Sequence, residues 1–156
     1  MSSIPTIADL RTVADYQFGA TAGEALFPDD DVEVRRSTSG RPRQVVADGG
    51  RVVSYRTDGR FTLGLEGGRR LRAALDHPAY SVVVGDESAP FVREGKNVFA
   101  KFVAEVDPAV RPHDEVAVVH EDGDLLGVGR AELSAEGMLD FDAGMAVKVR
   151  DGAGSE

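Results

Sequence analysis

The second half of this chain contains five short strand-like segments within about 70 residues, and that density limits the folds it can adopt. The segments are YSVVV (80–84), NVFAKFV (97–103), DEVAVVHE (114–121), DLLGVGRAEL (124–133) and MAVKVR (145–150). Asp122-Gly123 favours a tight hairpin between the third and the fourth. Only two short helical patterns, SAPFVRE and SAEGMLDFD, accompany them. This half is therefore predicted to form a compact β-barrel with short helices rather than an open sheet.

The first half mixes helical and strand patterns. Apolar residues recur at helical spacing in TIADLRTVADYQFG, TAGEALF and EGGRRLRAALD. VEVRRST, RQVVADGGRVVSYR and RFTLGL have the composition of strands, and Asp48-Gly49-Gly50 favours a hairpin within the second of these. Helices packed on one face of an antiparallel sheet would make this half a small α+β domain.

The boundary between the two halves falls at HPAY (77–80), where a helical pattern gives way to a strand pattern. Pro78 biases the preceding residue away from helical backbone angles. We therefore predict an α+β domain over residues 1–78, a barrel domain over residues 79–152 and a disordered tail over residues 153–156. The fold class as a whole is α+β.

Acidic residues dominate the charge, and lysine is scarce. The chain has 27 acidic and 18 basic residues, a net charge of −9, and only three of the basic residues are lysines. The second half carries 16 acidic and 7 basic residues, whereas the first half carries 11 of each. Such a composition is typical of a halophilic protein, although an ordinary acidic protein would look the same. At molar salt the Debye length is about 3 Å, so local contacts outweigh net charge when an anionic partner binds.

Neither a catalytic motif nor a metal-binding motif stands out. The chain has no cysteine, and His77, His113 and His120 lack the spacing of metal ligands. The nucleophile-elbow and phosphate-loop patterns are absent. The sequence also has no signal-peptide pattern and no apolar run of 18 residues. We therefore expect a cytoplasmic protein with no metal, no cofactor and no catalytic activity of its own.

Two of the three lysines lie in FVREGKNVFAKFV (91–103). If residues 97–103 form one strand, Asn97, Phe99 and Lys101 share an outward face. The opposite face would then be buried, with Val98, Ala100 and Phe102. Arg93, Gly95 and Lys96 precede the strand in a turn where backbone could approach a ligand closely.

The third lysine lies near the C-terminus in AVKVR, where Lys148 alternates with valines and Arg150 points the same way. A small barrel could bring this strand beside the first lysine-bearing segment. Cations around one exposed aromatic ring suit a single-stranded nucleic-acid end.

A second basic cluster occupies RRSTSGRPR (35–43). Its planar guanidinium groups suit phosphate oxygens, so it is a possible secondary RNA contact. A salt-bridged hairpin would explain the same residues equally well. The arginines are Arg35, Arg36, Arg41 and Arg43.

Three stretches of the second half resemble the PUA domain, a small RNA-binding barrel: VVVGDESAPFVREGKNVFAKFV, VRPHDEVAVVHEDGDLLGVGRAELS and MAVKVR. The sequence of these stretches is most similar to the PUA domain at the C-terminus of archaeal archaeosine tRNA-guanine transglycosylases and archaeosine synthases. In the first half, VADYQFG, GRPRQV and DGRFTLGLEGGRRL resemble the domain that precedes PUA in those proteins. The resemblance covers roughly residues 8–152.

This resemblance implies tRNA binding linked to tRNA modification, because PUA domains of the family hold the acceptor-stem end. Carried over by position, the implied contacts are Arg93, Gly95, Lys96, Asn97, Phe99, Lys101, Lys148 and Arg150. The family's catalytic barrel and its cysteine-rich zinc site have no counterpart in this sequence. We therefore expect a non-catalytic protein that binds RNA, most directly tRNA, and that could assist a tRNA-modifying enzyme. The alternative is a protein-interaction module that docks on such an enzyme without binding RNA.

Overall fold

The computed structural model describes residues 6–28, 32–56, 58–141 and 143–154. Contacts between residues divide the chain into two units, Met1–Leu75 and Asp76–Glu156. None of the helices in the described residues is long and apolar enough to cross a membrane.

The first unit is a four-stranded antiparallel sheet with helices against one face. Its helices are α1 (Ile7–Phe18), α2 (Ala22–Leu26) and α3 (Leu65–Ala74). Its strands are β1 (Glu33–Arg36), β2 (Pro42–Ala47), β3 (Gly50–Tyr55) and β4 (Phe61–Leu63), hydrogen-bonded in chain order. A capping box starts α1, because Thr6 and Asp9 exchange hydrogen bonds between side chain and backbone.

The two faces of this sheet follow from the strand alternation. Val45, Val53 and Leu63 lie opposite one another on three neighbouring strands and are almost fully buried. The alternate row carries polar side chains across all four strands: Arg35, Gln44, Ser54 and Thr62. Apolar side chains on one face and polar ones on the other confirm the predicted α+β arrangement.

The second unit is a six-stranded sheet that curls into a nearly closed barrel. Its strands are β5 (Ser81–Val84), β6 (Val98–Phe99), β7 (Val103–Val106), β8 (Glu115–His120), β9 (Leu125–Ala131) and β10 (Met145–Gly152). Two short helices accompany them, α4 (Ala89–Arg93) and α5 (Ala135–Asp140). The strand order is β6-β10-β9-β8-β5-β7; β5 and β8 run parallel, and every other pair is antiparallel.

The barrel closes because its two edge strands are neighbours in sequence. One 3-10 turn, Ala100–Phe102, joins β6 at one edge to β7 at the other. Three residues span only a short distance, so the sheet must curl until its edges approach. Val82, Val118, Leu126 and Val147 are fully buried in the core that the barrel encloses.

The predicted strand over residues 97–103 is therefore wrong as a single element. Its alternation holds at Val98 and Ala100, each about 2% exposed, but the 3-10 turn then rotates the chain. As a result Phe102, predicted to be buried, is only half-buried.

Ala153 and Gly154, the first two residues of the predicted disordered tail, are hydrogen-bonded to the second unit. The backbone N–H of Ala153 donates to the Leu126 carbonyl at 2.8 Å, and that of Gly154 donates to the Arg93 carbonyl at 2.8 Å. These bonds continue the contacts of β10 with β9 and with the end of α4 beyond the last residue of the strand. The last two residues of the predicted tail lie outside the described residues.

Candidate nucleic-acid interface

A tight turn leads from α4 into β6. Ala89 and Val92 face the core at helical spacing, and the chain reverses at Gly95, whose φ of +92° favours glycine. The N–H of Gly95 donates to the Val92 carbonyl at 2.8 Å, and that of Lys96 donates to the Phe91 carbonyl at 2.9 Å. The turn therefore presents Lys96 at a position fixed by backbone hydrogen bonds.

The turn and β6 lie directly against β10, as the sequence suggested they could. Val98 is opposite Val147, and Phe99 is opposite Met145. The Asn97 side-chain oxygen accepts a hydrogen bond from the N–H of Val149 at 3.0 Å. Asn97 therefore joins the turn to β10 between Lys148 and Arg150.

The C-terminal end of β10 also packs closely against this turn. A Cβ added at Gly152 would lie 2.6 Å from the Gly95 nitrogen and 2.6 Å from the Val92 oxygen. No real side chain tolerates such distances, so Gly152 permits this close approach.

We use the name lysine face for four exposed side chains and one half-buried side chain on β6, on β10 and on the turns that flank β6. Phe99 is 48% exposed on β6, and Lys148 points outward from the adjacent strand β10, between the buried Val147 and Val149. The Lys101 ammonium lies over the Phe102 ring, 5.1 Å from its centroid, and does not stack on Phe99. The lysine face consists of Lys96, Asn97, Phe99, Lys101 and Lys148.

The arginines predicted to belong to this surface are engaged in ion pairs. Arg93 lies 3.5 Å from the carboxylate of Asp124. Arg150 donates to Glu115 at 2.7 Å, and the Glu115 side chain is only 3% exposed. An arginine that neutralises a buried carboxylate is held by the fold, so Arg150 has a structural role whatever else it binds.

The three lysines differ from these arginines in their surroundings. Within the described ranges, neither Lys96, Lys101 nor Lys148 has a carboxylate oxygen within 4.0 Å. Lys148 is directly opposite Arg130, whose own partner is Glu132 at 2.8 Å. Among the described residues, the three lysines of the lysine face are thus uncompensated charges in the acidic half of the chain.

Phe91 is an exposed aromatic residue beside this surface that the sequence analysis did not single out. It is 56% exposed, and its carbonyl accepts the N–H of Lys96. The helical spacing of Ala89 and Val92 already turns Phe91 away from the core, which is the signal that could have identified it.

An ionic cluster links the β8–β9 hairpin to the loop before α4. His120 contacts Asp122 at 2.9 Å and Asp86 at 2.6 Å. The hydrogen bond with Asp122, followed by that with Asp86, raises the pKa of His120 above its ordinary value of 6.5. The backbone N–H of Asp124 and the bond from His120 lower the pKa of Asp122.

The second predicted basic cluster lies in the first unit. Arg35, Arg36, Arg41 and Arg43 are all exposed around the β1–β2 connection. Arg35 approaches Glu33 at 4.0 Å, and Arg36 donates to the Gly40 carbonyl at 3.1 Å. The structure therefore places these four arginines around one β-hairpin, in which Arg35 already has an ion-pair partner.

Over the part of the chain that the structure describes, no three histidine, aspartate or glutamate side chains are grouped to hold a metal ion. His77 pairs with Glu105 at 3.3 Å, and His120 is occupied by its two aspartates. The acidic residues 29–31 lie outside the described residues.

Comparison with known protein families accounts for both units. Residues 8–78 match the patch-forming domain C2 of tRNA-guanine transglycosylase, and residues 80–153 match the PUA domain. The chain thus contains a C2 domain followed by a PUA domain. The C2 domain therefore provides the arginine cluster, and the PUA domain provides the lysine face.

Known relatives support this assignment. The tRNA-guanine(15) transglycosylase of Pyrococcus furiosus is 49% identical over 144 residues, which cover 92% of this chain and 24% of that protein. The chain thus spans about a quarter of the length of the curated relatives it matches. A hypothetical protein from Pyrococcus horikoshii has the same fold, with a TM-score of 0.73 at 21% identity and coverage of 96% and 91%. A PUA domain protein from Thermoplasma acidophilum gives a TM-score of 0.65 at 17% identity, with coverage of 97% and 93%.

Proposed function

We propose that this chain binds RNA through the lysine face of its PUA domain, and that the RNA is the acceptor-stem end of tRNA. The match to a C2 and a PUA domain and the names of the archaeal relatives support a link to tRNA modification. The chain would act without catalysis of its own, in the cytoplasm, by holding tRNA for a tRNA-modifying enzyme.

The observation that carries the proposal is that all three lysines of the PUA domain are without a carboxylate partner among the described residues. Of the four arginines in that domain, Arg93, Arg130 and Arg150 each have such a partner, and only Arg111, outside the lysine face, is like the lysines among the described residues. Unpaired ammonium groups can bind phosphate oxygens without first breaking an internal ion pair.

The exposed rings add a second kind of RNA contact. Phe99 lies between Lys96 and Lys101 along the chain, and Phe91 flanks the turn. An unstacked base can pack on such a ring, a contact worth about 1–3 kcal/mol per base. Cations that hold phosphates on either side of a ring are the arrangement expected for a single-stranded RNA end.

Because the PUA domain is acidic, the affinity of the lysine face for RNA should depend on the salt concentration. Long-range repulsion between the acidic domain and RNA is screened at molar salt, where the Debye length is about 3 Å. Contacts at the lysine face would then determine affinity. Adaptation of this chain to high salt stays a prediction from its composition.

The test is the affinity for tRNA of three variants, Lys96→Ala, Lys101→Ala and the double variant, measured by fluorescence anisotropy. The salt concentration is held where each protein is folded. Hydrogen bonds to charged groups contribute about 1.5–3 kcal/mol, so we expect the double variant to raise Kd by roughly tenfold or more.

Arg69→Ala is the charge-matched control for each single variant. Arg69 is exposed on α3, and Glu66 retains its second partner, Arg70, at 2.9 Å. An unchanged Kd in the double lysine variant would contradict the assignment of this surface.

The alternative function, a protein-interaction module, has one specific observation in its favour. Leu139 is 56% exposed at the end of α5, and Phe141, which follows the helix, is 53% exposed. Exposed apolar side chains close in sequence favour contact with a protein. Recovery of a protein partner at high salt, together with no measurable tRNA binding by the purified chain, would support this alternative.

A further inference from the structure

Two adjoining clefts lie beside the β1–β2 connection of the C2 domain. One has a volume of about 370 Å³ and the other about 290 Å³. Arg43 and Tyr55 line both of them. The larger cleft adds Arg35, Arg36, Gln44 and Ser54, and the smaller adds Ser37, Ser39, Arg41, Pro42 and Arg56. Arginine therefore supplies most of the charge at both.

Carboxylates of described residues lie beside two of these arginines. Arg35 lies 4.0 Å from Glu33, and Arg56 lies 3.4 Å from Asp58. Among the described residues, neither Arg41 nor Arg43 has a carboxylate oxygen within 4.0 Å. Arg43 is therefore an uncompensated cation at the junction of the two clefts. Guanidinium groups bind phosphate through two parallel hydrogen bonds, so this junction suits a phosphate.

Tyr55 supplies a fixed aromatic surface at the same junction. Its ring packs edge-on against Phe61, with the centroids 5.4 Å apart and the planes at 75°. Phe61 is almost fully buried, so it holds Tyr55 in place, and Tyr55 itself stays half-buried. A ring that is already ordered loses little conformational freedom when a base stacks on it.

We propose that these clefts bind two consecutive nucleotides of single-stranded RNA. The phosphate between the nucleotides contacts Arg43, and one base packs against Tyr55. Further polar side chains line each cleft: Gln44 and Ser54 in one, where Ser54 accepts from Arg51 at 2.7 Å, and Ser37 and Ser39 in the other, where the two hydroxyls are hydrogen-bonded at 2.9 Å. A duplex would fill the clefts poorly, because its bases remain stacked within the helix. This inference rests on the proposed function in that the chain binds RNA, but it uses a different domain and different residues.

The test uses the full chain carrying Lys96→Ala and Lys101→Ala, so that the lysine face contributes least, and a fluorescent oligouridylate as the probe. In this background we compare Arg43→Ala, Tyr55→Leu, Tyr55→Phe and the control Arg69→Ala. Arg43→Ala should weaken binding at least fivefold and reduce the slope of log Kd against log salt by about 0.7. Tyr55→Leu should weaken binding about fivefold or more, and Tyr55→Phe, which keeps the ring, should weaken it clearly less. Arg69→Ala, outside the clefts, should keep the affinity of the background protein.

A second measurement covers the case in which Tyr55→Leu does not fold. Oligouridylate containing 4-thiouridine is photocrosslinked to the wild-type chain, and the modified peptides are mapped by mass spectrometry. We expect a crosslink within residues 42–56. Crosslinks confined to the PUA domain would overturn the proposal.

The outcomes separate this inference from the proposed function. If wild-type chain binds no RNA, both are overturned. If the lysine variants weaken tRNA binding but Arg43→Ala and Tyr55→Leu change nothing, only the cleft is overturned. If Arg43→Ala weakens binding while Tyr55→Leu behaves like Tyr55→Phe, the cleft contacts phosphate without a stacked base, and the nucleotide site is wrong.

Discussion

At the scale of single residues, most arginines of the PUA domain have a carboxylate partner, whereas its lysines have none among the described residues. Arg150 reaches Glu115, a carboxylate 35 positions earlier in the chain that is almost entirely buried. Glu115 is also opposite Arg130 across the sheet, and Arg130 is in turn opposite Lys148. The planar guanidinium can form two parallel hydrogen bonds with a carboxylate, which favours such ion pairs. A lysine ammonium is a strongly hydrated charge on a flexible chain, so it can replace bound water with a ligand oxygen.

This division predicts how Arg150 behaves on mutation. Arg150→Ala should lower the free energy of unfolding by about 1–3 kcal/mol, because it leaves a buried carboxylate without this partner. Adding Glu115→Gln should restore much of the loss, since a neutral amide costs less to bury. Chemical denaturation of both variants measures the effect. Equal stability of Arg150→Ala and wild type would show that the pair contributes nothing to the fold.

At the scale of elements, the His120 cluster fixes the β8–β9 hairpin against the loop that leads into α4. Asp86 comes from that loop, Asp122 and Asp124 come from the hairpin, and Arg93 at the end of α4 pairs with Asp124. The cluster thus supports the turn that presents Lys96.

The raised pKa of His120 determines how the stability of the folded state changes with pH. Protonated His120 stabilises the folded state fully below its unfolded pKa of about 6.5, and the contribution is lost as pH rises through the higher folded value. We expect Tm to fall over that interval in wild type. Titration of Tm against pH in wild type and in His120→Gln isolates the effect. A pH dependence identical in the two proteins would exclude His120 as its source.

Some of these elements could be predicted from the sequence alone, and others could not. Local alternation and turn residues predicted the hairpin at Asp122-Gly123 and the helices α1 and α3, because these depend on neighbouring residues. They did not predict the 3-10 turn at Ala100–Phe102, which arises because the chain must cross between opposite edges of one sheet. Closure of a barrel depends on contacts between residues far apart in the sequence, and the periodicity within one strand carries no information about them.

For the candidate sites, the sequence likewise predicted which side chains are exposed but not which contacts they make. Alternation placed Phe99 and Lys148 outward, and both are exposed. It could not predict that Arg150 pairs with Glu115, or that Lys101 lies over Phe102 rather than Phe99, because these contacts depend on the assembled barrel. Tyr55 was likewise missed, since its role depends on which strands pair beside Arg43.

At the scale of the whole molecule, charge is distributed unevenly between the domains. The first 78 residues are neutral, and the remainder carries the entire net charge of −9. Both proposed RNA contacts are therefore local exceptions, namely an arginine cluster on a neutral domain and three unpaired lysines on an acidic one. RNA binding at such surfaces depends on short-range contacts, because the net negative charge of the protein repels RNA at low salt.

We propose, above all, that the lysine face holds the single-stranded 3′ end of tRNA. The most direct measurement is the Kd of the wild-type chain for intact tRNA and for the same tRNA with the single-stranded 3′ nucleotides removed. We predict that removal weakens binding at least fivefold for wild type and has little effect for the Lys96→Ala/Lys101→Ala variant. Equal affinity of wild type for the two RNAs would contradict the claim.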